Sequence, residues 1–301
     1  MTSKNTNISI VTPSYNQGKY IQETITSILS QDYPHVESIV MDGGSTDETV
    51  AILKRHDGRI VWRSEKDRGQ THAINKGLAI AMGEVVAYLN SDDTYMPGAF
   101  TKVVNYFNDH PDIGMVYGEG YHINEQGGVI ERYPTEPFNF ERLRETCFIC
   151  QPTVFLRRQV YDTVGPFDES LHFGMDYDYW IRVGKQFKIG YIPDYLACSR
   201  LYLDAKTLRN KVQVHEENLR MLRKHFKGVL SKWTFDWAHA VLGDKIKRDT
   251  PFHNWLFTTA LCAIASYKFL RQYGRIPAKD MMAMARWFGG TSRELWRSWL
   301  K

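Results

Sequence analysis

The stretch ISIVTPSYN, from Ile8 to Asn16, begins with a β-branched apolar run and ends in a polar loop. An apolar run that is bounded by Pro, Ser and Asn predicts a strand leading into a loop. The following residues, 18–30, carry apolar side chains at helical spacing. One strand, one loop and one helix therefore form a unit, and this unit decides the fold because it recurs along the chain.

The same unit returns downstream. Val36–Met41, Ile60–Trp62 and Glu84–Leu89 predict strands, and helical spacing predicts helices at 70–82 and 97–108. Strands that alternate with helices in this way pair in parallel and bury their faces under the helices. We therefore predict an α/β fold with a mostly parallel, Rossmann-like sheet that is flanked by helices.

After Gly114 the pattern changes to that of an antiparallel hairpin. Met115–Ile123 and Val129–Tyr133 predict its two strands, joined across the loop Asn-Glu-Gln-Gly-Gly. Three further elements are predicted, namely strands at Gln151–Leu156 and Lys188–Ile192 and a charged amphipathic helix at Thr207–Phe226.

Composition excludes several classes of protein. The chain has 301 residues, of which 43% are apolar and 24% charged, which is typical of a globular protein and not of a disordered, collagenous or multi-span membrane protein. Its four cysteines are too few for a disulfide scaffold. Residues 1–16 contain no apolar run long enough for a signal peptide. These observations predict a cytoplasmic protein.

The last part of the chain differs from the rest in charge and aromatic content. Residues 229–301 hold 12 Lys and Arg against 5 Asp and Glu, and six of the eight tryptophans. We place a domain boundary after Lys227, so that 228–301 forms a helical subdomain, with breaks expected near Gly243, at 274–277 and at Gly289-Gly290.

Two functions fit this basic, Trp-rich region. Basic amphipathic surfaces bind anionic membranes, which would make the protein a peripheral membrane protein. The alternative is a helical core or a homo-oligomer interface in which the tryptophans are simply buried. The remainder of the chain is slightly acidic and contains no base-reading module, so we expect no nucleic-acid partner.

Polar side chains follow each of the first four predicted strands. The strand ends read Thr12-Pro-Ser-Tyr-Asn16, Asp42-Gly-Gly-Ser45, Glu65-Lys-Asp-Arg-Gly69 and Asn90-Ser-Asp-Asp93. Because ligands of such sheets bind outside the carboxyl ends of the strands, these groups are expected to face one crevice. Helix capping is the alternative for Asp47, Asp92 and Asp93, since acids are common just before helices.

The adjacent carboxylates Asp92 and Asp93 suit a hard divalent cation that is shared with phosphate oxygens. Without a cation the two charges would repel each other. The chain has neither a P-loop nor a dinucleotide-binding fingerprint, so a diphosphate bound here needs a metal to neutralise it. This argues against NAD enzymes and P-loop NTPases.

At this point the sequence resembles glycosyltransferase family 2, whose members are inverting enzymes with the GT-A fold. The resemblance runs from Ile8 to about Phe226 and depends on the order of five motifs. These are Val11-Thr-Pro-Ser-Tyr-Asn16, Asp42-Gly-Gly-Ser-Thr-Asp47, Asp67-Arg-Gly-Gln-Thr-His-Ala-Ile-Asn-Lys-Gly77, Leu89-Asn-Ser-Asp-Asp93 and Met175-Asp-Tyr-Asp-Tyr-Trp180. It implies a GT-A catalytic domain over 1–227, with a nucleotide-sugar-binding half at 1–113 and an acceptor-binding half at 114–227.

The resemblance also implies roles for the residues that match. In the donor site, Thr12, Pro13 and Tyr15 would line the base pocket, Asp42 and Asp67 would bind the base, and Asn90, Ser91 and Asp92 would occupy the position of the DxD motif. Asp92 would hold Mn²⁺ or Mg²⁺ on the diphosphate. The family usually has aspartate at position 90, so asparagine there puts ligation by that residue in doubt.

Asp176 matches the family's catalytic carboxylate, which would take a proton from the acceptor hydroxyl as its oxygen attacks the anomeric carbon. Met175 stands where many members have glutamate, and Asp178 is close enough to compete for the role. A solvated helix start is the alternative for both acids. Asp93, Asp178, Trp180 and Tyr202 are assigned to the acceptor pocket or to the surroundings of the site. Tyr202 stands where many members have histidine.

The expected reaction is transfer of a sugar, with a UDP-sugar favoured as donor, to a glycan or a lipid-linked acceptor in bacterial surface-polysaccharide synthesis. Two alternatives are a nucleotidyltransferase, which usually needs a Gly-rich basic loop after the first strand, and a non-catalytic sugar-nucleotide-binding or scaffold protein. Cys147 and Cys150 have C-x-x-C spacing, but no second pair follows, so we expect small buried residues and not a zinc site.

Overall fold

The computed structural model describes residues 6–202 and 209–300. The chain divides into two compact units, Met1–Ala205 and Lys206–Lys301. The division comes before the boundary that we placed after Lys227, because the helix at 211–225 packs against the next helix of the second unit. Thr207, the predicted start of that helix, lies outside the described residues.

The first half of unit 1 has the repeated strand–helix pattern. Its elements are β1 (Ile8–Ser14), α1 (Ile21–Leu29), β2 (Val36–Asp42), α2 (Thr49–Lys54), β3 (Val61–Ser64), α3 (Gln70–Ile80), β4 (Val85–Tyr88), β5 (Thr94–Tyr95) and α4 (Ala99–Asp109). Strands β3, β2, β1 and β4 lie side by side in that order and pair in parallel. Their carboxyl ends consequently meet at one edge.

The second half of unit 1 extends the same sheet. Its elements are β6 (Ile113–Ile123), β7 (Val129–Arg132), β8 (Phe155–Arg157), α5 (Arg158–Val164), α6 (Met175–Gly184) and β9 (Lys188–Arg200). The sheet order is β3-β2-β1-β4-β8-β6-β9-β5, with β7 on β6. Strands β6 and β9 are parallel, whereas β5, β7 and β8 pair antiparallel to their neighbours. The predicted α/β class and the hairpin at β6–β7 are confirmed.

Strand β1 is buried on both faces. Because side chains alternate along a strand, Ile8 and Ile10 enter a core shared with α1 and α4, while Val11 faces α3. A side chain at Gly77 of α3 would collide with Val11, so glycine allows the helix to approach the strand closely.

The predicted strands at Gln151–Leu156 and Lys188–Ile192 differ most from the structure. Gln151–Thr153 form a 3₁₀ turn, with Pro152 at its start, before the short strand β8. Strand β9 continues past Ile192 to Arg200, because it pairs with β6 along that whole length. This extension carries the chain to the site edge.

Unit 2 is helical over its described residues. Its helices are α7 (Lys211–His225), α8 (Ser231–Leu242), α9 (Pro251–Tyr273) and α10 (Ala278–Trp299). The breaks predicted near Gly243 and Gly274 are confirmed, but the break predicted at Gly289-Gly290 is wrong, because α10 runs through both glycines. Packing of the neighbouring Trp287 on Phe235 offsets the cost of glycine in a helix, roughly 1 kcal/mol each. Among the described helices none is long and apolar enough to span a bilayer.

Candidate functional site

The loop after β1 exposes one large side chain of the predicted base pocket. Tyr15 is 61% exposed, whereas Thr12 and Pro13 are buried in the strand. Asn16 has a left-handed backbone with φ of 51°, and its Oδ1 accepts a hydrogen bond from Thr46 N at 2.9 Å. The loop after β1 is thereby tied to the loop after β2.

Asp42, at the end of β2, organises its own turn. Its buried carboxylate accepts hydrogen bonds from Gly44 N at 3.1 Å, from Ser45 N at 2.9 Å and from Ser64 Oγ at 2.6 Å. These bonds hold the loop after β2 and the end of β3 together. The role of Asp42 toward a nucleobase stays a prediction.

Asp67 reaches back from the loop after β3 to the loop after β2. Its Oδ1 accepts from Gly69 N at 2.8 Å, and a Cβ at Gly43 would lie only 3.0 Å from its Oδ2. The absence of a side chain at position 43 therefore lets Asp67 approach the β2 loop. The structure thus brings together Asp42, Asp67 and the accessible ring of Tyr15 at neighbouring strand ends.

The side-chain amide of Asn90 forms hydrogen bonds with three other side chains of the protein. Its Oδ1 accepts from Gln70 Nε2 at 2.7 Å, and its Nδ2 donates to Asp93 Oδ2 at 3.2 Å and to Gln151 Oε1 at 3.1 Å. An aspartate at this position would have no N–H for these two acceptors and would add a charge beside Asp93. This gives a physical reason for asparagine at the position where the family usually has an acid. Ser91 beside it is buried.

Asp92 and Asp93 point to different partners. Asp92 is half-buried, and its Oδ2 accepts a hydrogen bond from Tyr202 Oη at 2.9 Å. Asp93 is buried, and its Oδ1 accepts from Arg200 N at 2.8 Å. Asp92 is therefore the acid of the pair that a ligand can reach, while Asp93 holds the end of β9 through its hydrogen bond from Arg200 N.

Burial dominates the electrostatics of this pair. It raises the pKa of Asp92, and it raises the pKa of Asp93 well above its ordinary value with a further contribution from the charge of Asp92. Burial and the nearby Asp92 also raise the pKa of Tyr202. A cation bound here would lower the pKa of both acids, because a nearby positive charge stabilises their ionised forms.

Arg200 is a site residue that our sequence analysis did not predict. Its buried guanidinium donates to Asp92 O at 2.8 Å, to Asn124 O at 2.9 Å and to Glu23 Oε2 at 2.7 Å. It thus fastens the Asp92 loop to α1 and to the β6–β7 turn. The signal available in the sequence was its position two residues before Tyr202, which stands where many members of the resembled family have histidine.

Asp176 lies in the first turn of α6 and is half-buried. Burial raises the pKa of Tyr88 well above its ordinary value, and the charges of Asp176 and Asp93 raise it further. Both acids act in the same direction on the pKa of Tyr133. Asp176 and Asp93 therefore lie near the same two phenols, although they are more than eighty residues apart in sequence.

Asp178 and Trp180 lie in the interior. Asp178 is 0% exposed and pairs with Arg182 Nε at 2.8 Å. Arg182 also donates to Val164 O at 3.1 Å and to Pro166 O at 2.9 Å. Trp180 is buried in a cluster of aromatic rings with Phe167 and Tyr179. Of the two acids that competed for the catalytic role, Asp176 is the more accessible.

Cys147 and Cys150 are free thiols near Asp176 and Asp93. Burial raises the pKa of both, which makes them poor nucleophiles and poor metal ligands at neutral pH. Within residues 6–202 and 209–300, no three His, Cys, Asp or Glu side chains converge as a metal-binding cluster.

Comparison with known proteins gives findings of three kinds, from a family model, from related sequences and from solved structures. Residues 9–165 match the family model described as glycosyl transferase family 2. An uncharacterized glycosyltransferase of Methanocaldococcus jannaschii is 28% identical over 207 residues, which is 64% of this chain and 70% of that protein.

Two solved structures have the same fold. The crystal structure of S. aureus TarS 1-349 in complex with UDP-GlcNAc aligns with a TM-score of 0.59 at 18% identity, over 87% of this chain and 85% of that one. The mannosyltransferase PcManGT from Pyrobaculum calidifontis, in complex with GDP-Man and Mn²⁺, aligns with a TM-score of 0.58 at 17% identity, over 97% and 86%. At these identities the likeness concerns the fold alone.

Proposed function

The chain belongs to glycosyl transferase family 2, and we propose that it transfers a sugar with inversion from a nucleoside-diphosphate donor to a hydroxyl of a glycan or a lipid-linked acceptor. The observation that supports this most is that Asp176 and Asp93, the neighbour of the half-buried Asp92, both lie near one pair of tyrosines, Tyr88 and Tyr133. A donor bound with its diphosphate at Asp92 would then present its anomeric carbon to an acceptor hydroxyl at Asp176.

On the donor side, the diphosphate would lie against Asp92, with the base toward Tyr15, Asp42 and Asp67. The residues present fit a divalent cation, because Mg²⁺ and Mn²⁺ in such sites are bound by one or two carboxylates together with substrate phosphates and water. Asp92 would hold the ion. When bound, a cation of this kind neutralises the charge that develops on the leaving diphosphate.

On the acceptor side, Asp176 would accept the proton of the attacking hydroxyl. A base in this role needs an accessible carboxylate within hydrogen-bonding reach of the acceptor, and half-buried Asp176 meets that need better than the enclosed Asp178. One displacement then inverts the anomeric configuration. Arg200 and Asn90 act as positioning residues, because they hold the Asp92 loop through the contacts described above.

The choice of donor and the setting are finer parts of the proposal. A UDP-sugar is favoured, as in the TarS complex, while the PcManGT complex makes GDP-mannose the next candidate. Residues 1–113 would bind the donor, and the remainder of unit 1 would bind the acceptor. The reaction would belong to bacterial surface-polysaccharide synthesis at the cytosolic face of the inner membrane, with 228–301 as the membrane-binding or self-associating part.

One observation favours a second candidate function. Both N–H groups of Asn90 and one lone pair of its Oδ1 bond to other side chains, and Tyr202 stands where many family members have histidine, so this chain offers fewer groups to a metal than many relatives. A sugar-nucleotide-binding protein without transferase activity would fit such a site. A nucleotidyltransferase is disfavoured, because the loop after β1 has one glycine and one lysine, too few for the phosphate-binding loop of that class.

The test is thermal melting of the full chain against UDP-, GDP-, dTDP- and CMP-sugars, each with and without Mn²⁺. A ligand that binds only the folded state raises the midpoint by mass action. We expect a shift with one nucleotide class that is larger with Mn²⁺ and is lost in Asp92→Ala. Asp112→Ala, which removes an exposed acid at the start of β6, is the matched control and should keep the full shift.

The alternatives give different results. A donor that shifts the melt but is never consumed in the presence of candidate acceptors would favour the binding protein. No shift with any nucleotide sugar, with or without metal, would contradict the donor site itself.

A further inference from the structure

Helix α10 presents a solvent-facing surface in which apolar and basic residues are sorted into two neighbouring stripes. At about 100° per residue, positions three, four and seven apart share one side of a helix. The apolar stripe consists of Met282, Ala285, Gly289, Trp296 and Leu300. The basic stripe beside it consists of Lys279, Arg286, Arg293 and Arg297, which are seven, seven and four residues apart.

The opposite side of α10 holds the helix in unit 2. Met284 and Leu295 are buried there, and Asp280 is buried with a hydrogen bond from Ser231. Trp287 contacts Phe235 of α8, and Phe288 contacts Trp255 of α9. The two outer stripes are therefore not required for packing within the unit.

The apolar stripe is exposed to a degree that is unusual for such large side chains. Met282 and Trp296 are each 61% exposed and Leu300 is 72% exposed. Trp299 and Met281 lie on its flank and are also exposed. An exposed apolar stripe with large side chains at both ends is typical of a surface that binds a partner.

The basic stripe identifies the partner. Its four cations form no ion pair with any carboxylate that the structure describes, and Glu294, the other acid of α10, lies outside the stripe. A second copy of this helix docked face to face would set one line of cations against another if antiparallel, and would leave both lines without an acidic partner if parallel. A surface of anionic lipid headgroups over an apolar layer matches both stripes at once.

We propose that α10 lies flat on an anionic membrane, with Met282, Trp296 and Leu300 below the headgroups and Arg286 and Arg293 among the phosphates. Arginine suits this place because its stem covers apolar surface while the guanidinium stays with the phosphates. The proposal deepens the membrane role proposed above for 228–301. It does not depend on sugar transfer, so its test and the donor test can fail separately.

The experiment is co-sedimentation of the full chain with vesicles, either of phosphatidylcholine alone or of equal parts phosphatidylcholine and phosphatidylglycerol. We expect binding to the anionic vesicles that weakens as salt is added. Arg286→Glu/Arg293→Glu should lower the partition coefficient at least tenfold, at about one kcal/mol for each cation removed from the surface. Arg220→Glu/Lys227→Glu makes the same change of net charge elsewhere in unit 2 and should cost much less.

A second variant tests the apolar stripe. Met282→Ser/Trp296→Ser should weaken binding to anionic vesicles at low and at high salt alike, because these residues contribute burial and not charge. Circular dichroism checks that each variant keeps its helices. The proposal is overturned if both charge-reversal variants bind equally, if the chain does not bind anionic vesicles, or if light scattering shows a dimer that Trp296→Ser dissociates while vesicles are not bound.

Discussion

Two pairs of acids, Asp92–Asp93 and Asp176–Asp178, each contain one buried and one half-buried member, and Asp93 and Asp176 both lie close enough to Tyr88 and Tyr133 to raise the pKa of these phenols. In the first pair Asp93 is buried and bonds to the backbone of Arg200, and in the second Asp178 is buried and bonds to the guanidinium of Arg182. Asp92 and Asp176 are the half-buried members.

The difference between the pairs lies in how the buried charge is compensated. Asp178 has a cation in direct contact, whereas Asp93 accepts hydrogen bonds from Arg200 N and Asn90 Nδ2 and has the Arg200 guanidinium near it without an ion pair. Burial and the charge of Asp92 outweigh these contacts, so that the pKa of Asp93 is raised well above its ordinary value. The comparison teaches that two acids close together in sequence can have different roles, one structural and one functional. The group that contacts the buried acid decides how much that acid contributes to the free energy of unfolding.

The largest expected effect is on turnover. Asp176→Asn should lower kcat by about 10³-fold, because it removes the general base, while leaving the donor-induced melting shift unchanged. The measurement is single-turnover transfer with the donor that the melting panel identifies. Full activity of Asp176→Asn would contradict this assignment, because the accessible acid of the pair would then not be the functional one.

The next effect is on stability. Asp178→Asn should lower the free energy of unfolding by about 3 kcal/mol, because it leaves Arg182 without its buried partner. Denaturant unfolding measures this, and Asp176→Asn is the matched control, expected to change stability by less than about 1 kcal/mol. Equal losses in both variants would mean that the two acids are not divided as we infer.

A smaller effect is expected at Asn90. Asn90→Asp removes the two hydrogen bonds that Nδ2 donates and sets a carboxylate beside Asp93, which should cost about 2 kcal/mol of stability in EDTA. If added Mn²⁺ restores the stability of this variant but not of wild type, the family's usual acid recovers a metal ligand here. No loss in EDTA would contradict the role that we assign to the amide.

The smallest effect is expected at Asp93. Asp93→Asn should lower stability by only about 1 kcal/mol in EDTA, because the amide oxygen can accept from Arg200 N without a buried charge, which offsets the loss of the hydrogen bond from Asn90 Nδ2. A carboxyl with a raised pKa favours the folded state while it is protonated, and that contribution is lost as pH rises above the ordinary value of 3.8. Wild type should therefore lose more stability than Asp93→Asn as pH rises from 4, measured by denaturant unfolding.

Much of the fold could be predicted, because it depends on local patterns. The β-branched runs that end in polar loops gave β1 to β4 within two or three residues, and the strand-end rule placed Asp42, Asp67 and Asp92 at one edge. The glycine pair in α10 misled the prediction, since tertiary contacts of Trp287 outweigh the local cost of glycine.

The site could be predicted only in part, because some of its contacts join residues that are remote in sequence. Arg200 fastens the Asp92 loop, and nothing near position 92 indicates this. Likewise, the spacing around Asp176 and Asp178 cannot tell which acid is enclosed, since that depends on Arg182 and on the carbonyls of Val164 and Pro166.

The far end of β9 also sets the order in which the site can form. Arg200 N meets Asp93 across 107 residues of chain, and Tyr202 meets Asp92 across 110. Closing loops of this length is entropically costly, so such contacts form late in folding. While residues 200–202 are still inside the ribosome, the first four strands can form but the hydrogen bonds to Asp92 and Asp93 cannot. The donor site therefore becomes rigid only near the end of the synthesis of unit 1.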